Sequence, residues 1–375
     1  MALNESNNQK KVLIDLTSLD DNFSGIEHYA LLITRELIKN KNLSFHLVFK
    51  NKVSYISEEE LAYENVSHTI LNGSRKKILL FSLSKYIDSY RPDYALFLAF
   101  PPSLLWKPKH GTKVISMIHD MVAFDVPKTM KYASRVYFKR SILHALKISD
   151  EIITNSYFSK GRILHYKKKF DPNKIHVTYC GSGMVVQHVP FMEIKDHYQL
   201  PDKYLLALST VEPRKNFDRL VKWLDRVWDE NPNVYDLVIV GRKGWKVDKL
   251  LENVKNINRI HFTGFVDDKD ISSIYANASC FIFPSIYEGF GVPILESIIA
   301  HKLPLCSSID VFKELLGDDY PFLFDYQSEE QFINKLNEYL ACPTDKIDQL
   351  YNDACERIQN FTWDKAAKVI EELFI

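Results

Sequence analysis

The stretch that decides the fold of this 375-residue chain is CFIFPSIYEGFGVPILE, residues 280–296. It begins with a short apolar and aromatic run, Cys280 to Phe283, which is typical of a buried strand in a parallel sheet. A turn with two glycines follows. Pro293 suits the first turn of a helix, because its fixed φ and its missing N–H cost nothing there. The stretch therefore predicts a strand, a glycine-rich turn and a helix.

This turn is the first candidate for a ligand site. We expect a phosphate to be held by the backbone N–H groups of Gly289, Phe290, Gly291 and Val292. Glu288 lies in the turn, and Glu296 lies about one helical turn, roughly 5.4 Å, inside the helix. Carboxylates accept paired hydrogen bonds from vicinal hydroxyls, which hexoses and ribose both carry. The stretch therefore predicts a site for a phosphate flanked by two diols.

The block PSIYEGFGVPILES, residues 284–297, resembles the signature of the retaining glycosyltransferases of family 4, the group 1 glycosyltransferases. The resemblance implies the α/β GT-B fold, in which two Rossmann-like doubly wound domains face each other across a cleft. It also implies that Glu296 holds the ribose diol of a nucleotide-sugar. Glu288 would hold sugar hydroxyls and stabilise a developing positive charge. A strand, turn and helix that only pack together remain the alternative.

Length and composition agree with two α/β domains in a reducing compartment. A chain of 375 residues can bury two separate cores. The five cysteines lack the spacing of a metal site, and their odd number argues against a disulfide framework. The polar N-terminus lacks the apolar region of a secretory signal, and no stretch approaches the ~20 apolar residues of a membrane span. We expect a cytoplasmic protein.

The charge of the chain is unevenly distributed. Residues 1–190 carry 27 Lys and Arg against 17 Asp and Glu, and the remainder carries 21 against 31. A basic half predicts an anionic surface or ligand. Its basic residues concentrate in an amphipathic segment from Lys128 to Lys147 and in Lys167–Lys169. Docking on the inner face of the cell membrane and a merely solvated helix face remain alternatives. Motifs for nucleic-acid binding are absent, so we expect no nucleic-acid partner.

The first half alternates strand and helix patterns, as in a doubly wound parallel sheet. Residues 11–16 predict its first strand, and Gly25 opens the following helix, where it serves either a tight turn or a nearby ligand. The strand 113–118 ends at His119 and Asp120, where ligands of such sheets bind. The family has a histidine at the matching place, near the donor sugar; a histidine satisfied in the core is the alternative. We expect this acceptor-binding domain to span residues 1–188.

The second half, residues 189–375, is expected to bind the nucleotide-sugar. Its first strand leads into EPRKN, residues 212–216, which places the cations Arg214 and Lys215 at a strand-to-helix turn. In the family this lysine contacts the donor diphosphate, and many relatives carry a further Arg where this chain has Ser209 and Thr210. Arg214 is therefore expected as its substitute, with surface salt bridging as the alternative.

Two further turns resemble family members that use them for the donor. Gly241 begins the glycine-rich turn GRKGW, residues 241–245, which relatives place in the donor cleft. The nucleotide base would be held, chiefly by backbone contacts, at Gly264, Phe265 and Val266. His301 replaces the glycine usual before the next strand, so a strained left-handed turn is expected there. By analogy the last helix, about 361–375, crosses back to the first domain.

Together with the family resemblance, these residues predict a retaining hexosyltransferase with Glu288, Lys215, Arg214 and His119 in catalytic roles. The resemblance implies GDP-mannose or dTDP-rhamnose as the donor, and as the acceptor a glycan or lipid-linked glycan of a bacterial surface polysaccharide such as lipopolysaccharide. No Asp-x-Asp stands at a strand end, so we expect neither a metal nor another cofactor. A sugar-nucleotide epimerase or hydrolase of the same fold, and a non-catalytic partner subunit that binds the donor, remain alternatives.

Overall fold

The computed structural model describes residues 9–19, 24–187, 189–241 and 250–374. The chain divides into two compact units, residues 1–181 together with 361–375, and residues 182–360. Each unit contains one parallel β-sheet. The boundary expected at His188 falls outside the described residues, so the domain limits given above remain predictions.

The first unit is built on a seven-stranded parallel sheet with the order β3-β2-β1-β4-β5-β6-β7. Its strands are β1 (Lys11–Asp15), β2 (Ser44–Lys50), β3 (Val66–Leu71), β4 (Tyr94–Phe97), β5 (Lys113–Met117), β6 (Glu151–Thr154) and β7 (Ile175–Val177). Its α-helices are Gly25–Leu37, Glu58–Leu61, Arg75–Lys77, Leu83–Tyr90, Val122–Asp125, Tyr132–Ile148, Tyr157–Tyr166 and Trp363–Glu371. Its described residues also include a π-helical turn, Ile78–Ser82, and the 3-10 turns Pro127–Thr129 and Pro172–Lys174. The strand order reverses between β1 and β4.

The second unit holds a six-stranded parallel sheet with the order β10-β9-β8-β11-β12-β13. Its strands are β8 (Tyr204–Leu208), β9 (Asp236–Val240), β10 (Ile260–Gly264), β11 (Cys280–Phe283), β12 (Pro304–Ser307) and β13 (Leu323–Phe324). Its α-helices include Phe191–Tyr198, Phe217–Glu230, Asp268–Asn277, Val292–Ile299, Asp310–Leu316, Glu329–Leu340 and Thr344–Ile358, and its 3-10 turns include Pro213–Lys215 and Ile257–Arg259. Here the order reverses between β8 and β11.

The central strands show why the sequence folds this way. All four residues of β4 and all four of β11 are buried. Successive side chains of a strand point to opposite faces, so a strand that is buried throughout must be covered on both. The short apolar runs in the sequence thus become the middle of sheets with helices on either side. The prediction of two doubly wound, Rossmann-like α/β domains is confirmed.

The last helix, Trp363–Glu371, belongs to the first unit. The Trp363 ring packs edge-on against Tyr29 with the centroids 5.6 Å apart. A Cβ atom on Gly181 would lie 2.8 Å from Trp363. Further on, Phe374 packs against Tyr94 of β4 with the centroids 5.1 Å apart. The close approach of Gly181 to Trp363 fixes the start of this helix on the end of the first unit.

His301 takes the left-handed conformation expected where relatives have glycine. Its φ is 57°, which costs a non-glycine residue about 1–2 kcal/mol. The imidazole stacks on the Tyr351 ring with the centroids 4.8 Å apart. A stacked pair of this kind contributes about 0.5–1.5 kcal/mol and offsets part of the backbone strain.

Candidate active site

The turns after β8 and β11 meet where the second sheet changes direction. β8 pairs with β9 on one side and with β11 on the other. Ligands of open α/β sheets bind beyond the carboxyl ends of the strands at such a switch point. The turn after β8 carries Arg214 and Lys215, and the turn after β11 carries Glu288. A hydrogen bond from Ile286 N to Arg214 O, 2.9 Å long, joins the two turns.

The local sequence explains why both cations stay at the strand end. Pro213 opens a 3-10 turn, Pro213–Lys215, because its fixed φ suits a first helical position. Asn216 then takes a left-handed φ of 60° and starts the helix Phe217–Glu230. Asparagine tolerates this conformation better than most residues. The chain therefore turns sharply and leaves Arg214 and Lys215 next to β8.

Glu288 forms ion pairs with both cations. Its Oε1 lies 2.6 Å from Lys215 Nζ, and its Oε2 lies 2.7 Å from Arg214 Nη1. Arg214 Nε also donates to Glu212 Oε2 at 3.2 Å. Lys215 and Glu288 are only 8% and 7% exposed, so their interaction is weakly screened by solvent. The structure thus unites three side chains that the sequence placed at two separate turns.

The cations keep Glu288 ionised. Burial alone would raise the pKa of this carboxyl, but Lys215 and Arg214 outweigh burial and hold the pKa at about 2. The pKa of Lys215 is lowered by burial and by the neighbouring Arg214, while Glu288 opposes this shift. Glu212 also pairs with Arg214, so the two cations and two carboxylates of this cluster carry no net charge. Two adjacent cations at a partly buried strand end can still donate to an anionic group such as a diphosphate.

The glycine-rich turn after β11 has a specific backbone requirement. Gly291 has a φ of 116°, and a Cβ atom there would lie 2.9 Å from the Phe312 ring. The helix Val292–Ile299 starts directly after it, with Pro293 in the first turn. Gly289 and Phe290 are buried within the turn. The strand, turn and helix predicted from the sequence are confirmed, and the role of the turn's amides in holding a phosphate remains a prediction.

Glu296 lies in the helix that follows the turn. It is half-buried, and Tyr275 Oη donates a hydrogen bond to its Oε2 at 3.3 Å. Burial, reinforced by Asp268, raises the pKa of Glu296 to about 7, while the Tyr275 hydroxyl opposes the shift. The two glutamates of the signature therefore differ: Glu288 is ionised at neutral pH, and Glu296 changes its charge near neutral pH.

Gly241 and Gly264 close the ends of β9 and β10. Gly241 has a φ of 138°, and a Cβ atom on it would lie 2.3 Å from Ser209 O. Its N–H donates to Gly264 O at 3.0 Å. Residue 241 must therefore be a glycine, because the backbone of Ser209 leaves no room for a Cβ atom. Residues 242–245 of the predicted turn lie outside the described residues.

The predicted base-binding residues follow directly after β10. Gly264 has a φ of 74° and open space around its Cα. Phe265 is 64% exposed, and Val266 is buried. An exposed aromatic ring at a strand end can stack on a planar base. Base binding by these three residues remains a prediction.

His119 belongs to the first unit and follows β5. Its Nε2 forms a hydrogen bond with Leu98 O at 2.9 Å, and its ring lies edge-on to Tyr29 with the centroids 5.1 Å apart. Burial lowers the pKa of His119 to about 4, so the ring is neutral at pH 7. With Nε2–H bonded to a carbonyl, Nδ1 is the nitrogen that can accept a hydrogen bond.

Gly25 is the first residue of the helix Gly25–Leu37, with Ser24 as its N-cap. Its φ lies outside the left-handed region, and a Cβ atom there would meet nothing within 4 Å. A tight turn is therefore not the reason for a glycine at this position. Because Gly25 has no side chain, the space at the start of this helix stays open.

Two family models match the chain, one over each half. The model described as "Glycosyltransferase Family 4" matches residues 23–182, and "Glycosyl transferases group 1" matches residues 192–358. The chain belongs to the family 4, group 1 glycosyltransferases. Its Glu288, Lys215 and Arg214 cluster lies in the group 1 part of this glycosyltransferase.

Relatives of this glycosyltransferase include two enterobacterial proteins. The O-antigen chain mannosyltransferase B of Escherichia coli is 26% identical over 312 residues, which cover 79% of this chain and 81% of the relative. The O-antigen chain mannosyltransferase RfbU of Salmonella typhimurium is 24% identical over 313 residues, covering 81% and 84%.

Solved structures share the fold of this glycosyltransferase. Anabaena Alr3699/HepE in complex with UDP-glucose superimposes with a TM-score of 0.72 at 14% identity, over 97% of this chain and 99% of that chain. Sucrose-phosphate synthase from Thermosynechococcus elongatus gives a TM-score of 0.73 at 14% identity, over 98% of both chains. The predicted GT-B fold class is confirmed.

Sequence reasoning missed two polar side chains of this glycosyltransferase. Tyr275 donates a hydrogen bond to Glu296, and its position in the last turn of an ordinary helix gave no signal. Asp15 is a buried carboxylate that ends β1, and the apolar run VLI before it could have marked it. Within the described ranges, groups of three or more His, Cys, Asp or Glu placed to hold a metal ion are absent.

Proposed function

We propose that this glycosyltransferase is a retaining mannosyltransferase that transfers mannose from GDP-mannose to a glycan or lipid-linked glycan in bacterial surface polysaccharide synthesis. The observation that carries the proposal is the buried contact of Glu288 with Lys215 and Arg214 at the switch point of the second sheet. The names of the O-antigen mannosyltransferase relatives favour mannose over rhamnose as the transferred sugar.

The cations would neutralise the leaving diphosphate. Lys215 is almost fully removed from water, so its attraction for a phosphate oxygen is stronger than in bulk solvent. Arg214 adds a planar donor that can bridge two oxygens. Glu288 holds both cations in place before the donor arrives. The cluster would thus neutralise the leaving diphosphate with charges that are already in place. A divalent metal has this role in other transferases.

The transfer step would proceed on one face of the sugar. The bond between the anomeric carbon and the phosphate oxygen breaks, and a bond to the acceptor oxygen forms on the same side. The acceptor proton passes to the departing phosphate, so no enzyme base is required. Glu288, with its pKa of about 2, stays negative beside the positive charge that develops on the ring.

Glu296 would hold the ribose diol. A carboxylate accepts hydrogen bonds from two vicinal hydroxyls, and Tyr275 orients Oε2 from the other side. Amides of the turn before the Val292–Ile299 helix would complete the diphosphate site, because a helix N-terminus attracts anions.

An assay of product and nucleotide release tests this function. Purified protein is incubated with GDP-mannose and with mannobiose or an octyl α-mannoside as the acceptor probe. The proposal predicts GDP release that depends on the acceptor and an α-linked product by NMR. GDP or a new sugar-nucleotide formed equally without the acceptor would favour the hydrolase or epimerase. Donor binding without turnover under any of these conditions would favour the non-catalytic subunit.

We further propose that the first unit docks on the anionic inner face of the cell membrane. Residues 72–87, 94–119 and 126–149 contain thirteen Lys and Arg and no Asp or Glu. Each basic residue near an anionic bilayer contributes about 1 kcal/mol. Within the described ranges, every helix is too short or too polar to cross a bilayer.

Contacts within the first unit join these segments into one surface. We call residues 75–82 and 100–107 with the helix Tyr132–Ile148 the basic surface. The Arg75 guanidinium lies 5.4 Å from the centroid of the Phe100 ring, and Phe100 in turn packs on Phe138 with the ring centroids 6.4 Å apart. Ser103 Oγ donates to Leu80 O at 3.2 Å. The three segments are therefore in contact with one another.

Large apolar side chains project from the basic surface. Phe81, Leu105 and Tyr132 are 50%, 67% and 73% exposed. Exposed aromatic and aliphatic residues among cations are typical of proteins that lie in a membrane interface. This combination favours a lipid surface over a merely solvated helix face.

A further inference from the structure

The first unit has a switch point of its own. β1 pairs with β2 on one side and β4 on the other, and the strand order reverses between β1 and β4. By the same rule that places the cluster of the second unit, a ligand is expected beyond the carboxyl ends of β1 and β4. Asp15 is the last residue of β1. A carboxylate therefore stands where the first sheet should bind its ligand.

One carboxylate oxygen of Asp15 accepts hydrogen bonds from Thr17, whereas no described residue donates to the other. The backbone N and the Oγ1 of Thr17 both donate to Asp15 Oδ1, at 2.9 and 2.7 Å. Within the described residues, these are the hydrogen bonds that the Asp15 carboxylate accepts. Thr17 thus fixes the orientation of the side chain, while Oδ2 has no hydrogen-bond partner among the described residues.

Asp15 is largely buried, but its Oδ2 is not among the fully buried polar atoms that lack a partner, so this oxygen remains accessible. Asp15 is 7% exposed, and burial raises its pKa, although the Thr17 hydrogen bonds oppose the shift. Other buried carboxylates are well satisfied: Glu288 has two cations, and Asp225 accepts the N–H groups of Lys255 and Asn256. Retaining a carboxylate at Asp15 therefore points to a ligand.

The neighbouring strand ends have matching groups. Leu98 O, just after β4, is already bonded by His119 Nε2, which leaves His119 Nδ1 as the accepting nitrogen. β4 lies between β1 and β5, so Asp15 and His119 follow strands about 10 Å apart, two interstrand spacings. Both present hydrogen-bond acceptors, as a ligand rich in hydroxyl donors requires.

We infer that Asp15 positions the sugar acceptor, with Oδ2 accepting a hydrogen bond from an acceptor hydroxyl at the β1/β4 switch point. The inference rests on the proposed function, since it assigns the second substrate of the same reaction. Asp15 takes no proton in the step. It orients the acceptor while the departing phosphate receives the proton of the reacting hydroxyl.

Asp15→Asn is the decisive variant. Its Oδ1 can still accept from Thr17, so the turn is kept, but the NH₂ group that replaces Oδ2 donates instead of accepting. Asp93→Asn is the matched control, because Asp93 precedes β4 at the opposite edge of the same sheet and accepts Lys11 N at 2.7 Å. Thermal unfolding of both variants verifies that they fold.

The experiment separates acceptor from donor effects. With GDP-mannose and mannobiose, Asp15→Asn is expected to raise the KM for mannobiose at least tenfold. Its donor-induced thermal shift and its slow GDP-mannose hydrolysis should match the wild type. Saturation-transfer NMR with mannobiose alone should lose its signal in Asp15→Asn and keep it in Asp93→Asn.

Two results would overturn the inference in different ways. A folded Asp15→Asn protein with unchanged KM for mannobiose and unchanged NMR signal would show that Asp15 only shapes its turn. A wild-type protein that neither shifts with GDP-mannose nor transfers mannose would contradict the proposed function itself, and the assignment of Asp15 with it.

Discussion

Lys215 Nζ and Glu288 Oε1 lie 2.6 Å apart, although 73 residues separate them in the chain. Both side chains are buried, and Arg214 binds the second oxygen of the same carboxylate. Removing one partner of a buried ion pair leaves an uncompensated charge and costs about 3–5 kcal/mol. The pair is therefore expected to matter both for the fold and for catalysis.

Glu288→Gln is expected to lower kcat by roughly 10²–10³, about 3 kcal/mol in the barrier, because the developing positive charge loses its carboxylate. The variant should also unfold at a lower temperature, since Lys215 and Arg214 lose their counter-charge. Steady-state kinetics and calorimetry measure the two effects. Near-normal turnover in a folded Glu288→Gln protein would contradict the assignment.

A double-mutant cycle isolates the ion pair. Lys215→Met and Glu288→Gln are compared singly and together by denaturant unfolding. The double variant should be more stable than the sum of the single losses predicts, because neither charge is left unpaired. Strictly additive losses would mean that the 2.6 Å contact contributes no coupling.

The raised pKa of Glu296 predicts how the stability of the protein changes with pH. Its pKa in the folded protein is about 7, above its ordinary value of 4.5. Between these values the folded state keeps a proton that the unfolded state releases, so the contribution of Glu296 to stability falls as pH rises from 4.5 to 7. Denaturant unfolding at several pH values should show that Glu296→Gln removes this decline. The exposed Glu330→Gln serves as control, and identical pH profiles for wild type and Glu296→Gln would refute the prediction.

Two glycines of the predicted sites should respond differently to alanine. Gly291→Ala is expected to destabilise the protein by about 1–3 kcal/mol, because a Cβ atom at φ 116° would press on the Phe312 ring. Gly25→Ala should leave the unfolding temperature unchanged or slightly raised, since its φ is ordinary and the space is open. Thermal unfolding of both variants measures the contrast. Equal destabilisation would contradict the structural distinction drawn between them.

The proposed docking of the basic surface predicts that the protein binds anionic lipid vesicles. Vesicles that contain phosphatidylglycerol should sediment the protein at low salt, and phosphatidylcholine vesicles should not. Phe81→Asp with Leu105→Asp should reduce binding at least fivefold, because both side chains project from the basic surface. Ile257→Asp, at an exposed apolar site of the second unit, should bind like the wild type. Equal binding to both vesicle types would contradict an electrostatic docking surface.

Periodicity predicted the fold because each apolar run becomes one buried strand, as Cys280–Phe283 does. It also located Arg214, Lys215 and Glu288 at strand ends, since the carboxyl edge of a parallel sheet collects such turns. Their pairing could not be read, because it depends on β8 and β11 being neighbours. The sequence also could not show why residue 25 is a glycine, because its φ angle and the space around it are known only from the structure.

The segments of the basic surface show the same limit. The basic segment was visible in the sequence from Lys128 to Lys147, whereas residues 75–82 were not singled out by their sequence. A π-helical turn, Ile78–Ser82, leaves Leu80 and Phe81 exposed while Ile78 is buried. A local change of helical period of this kind leaves no clear signal in a single sequence.

The central claim, that the β8/β11 switch point binds the nucleotide-sugar, is tested most directly by thermal shift. Wild-type protein, Lys215→Met and Glu296→Ala are screened against GDP-, UDP-, dTDP- and ADP-linked sugars at about a hundred times the dissociation constant, where a ligand adds about 2.7 kcal/mol of stability. We predict a selective shift of the wild type with GDP-mannose that both substitutions abolish. A shift that survives both substitutions, or no shift with any donor, would contradict the claim.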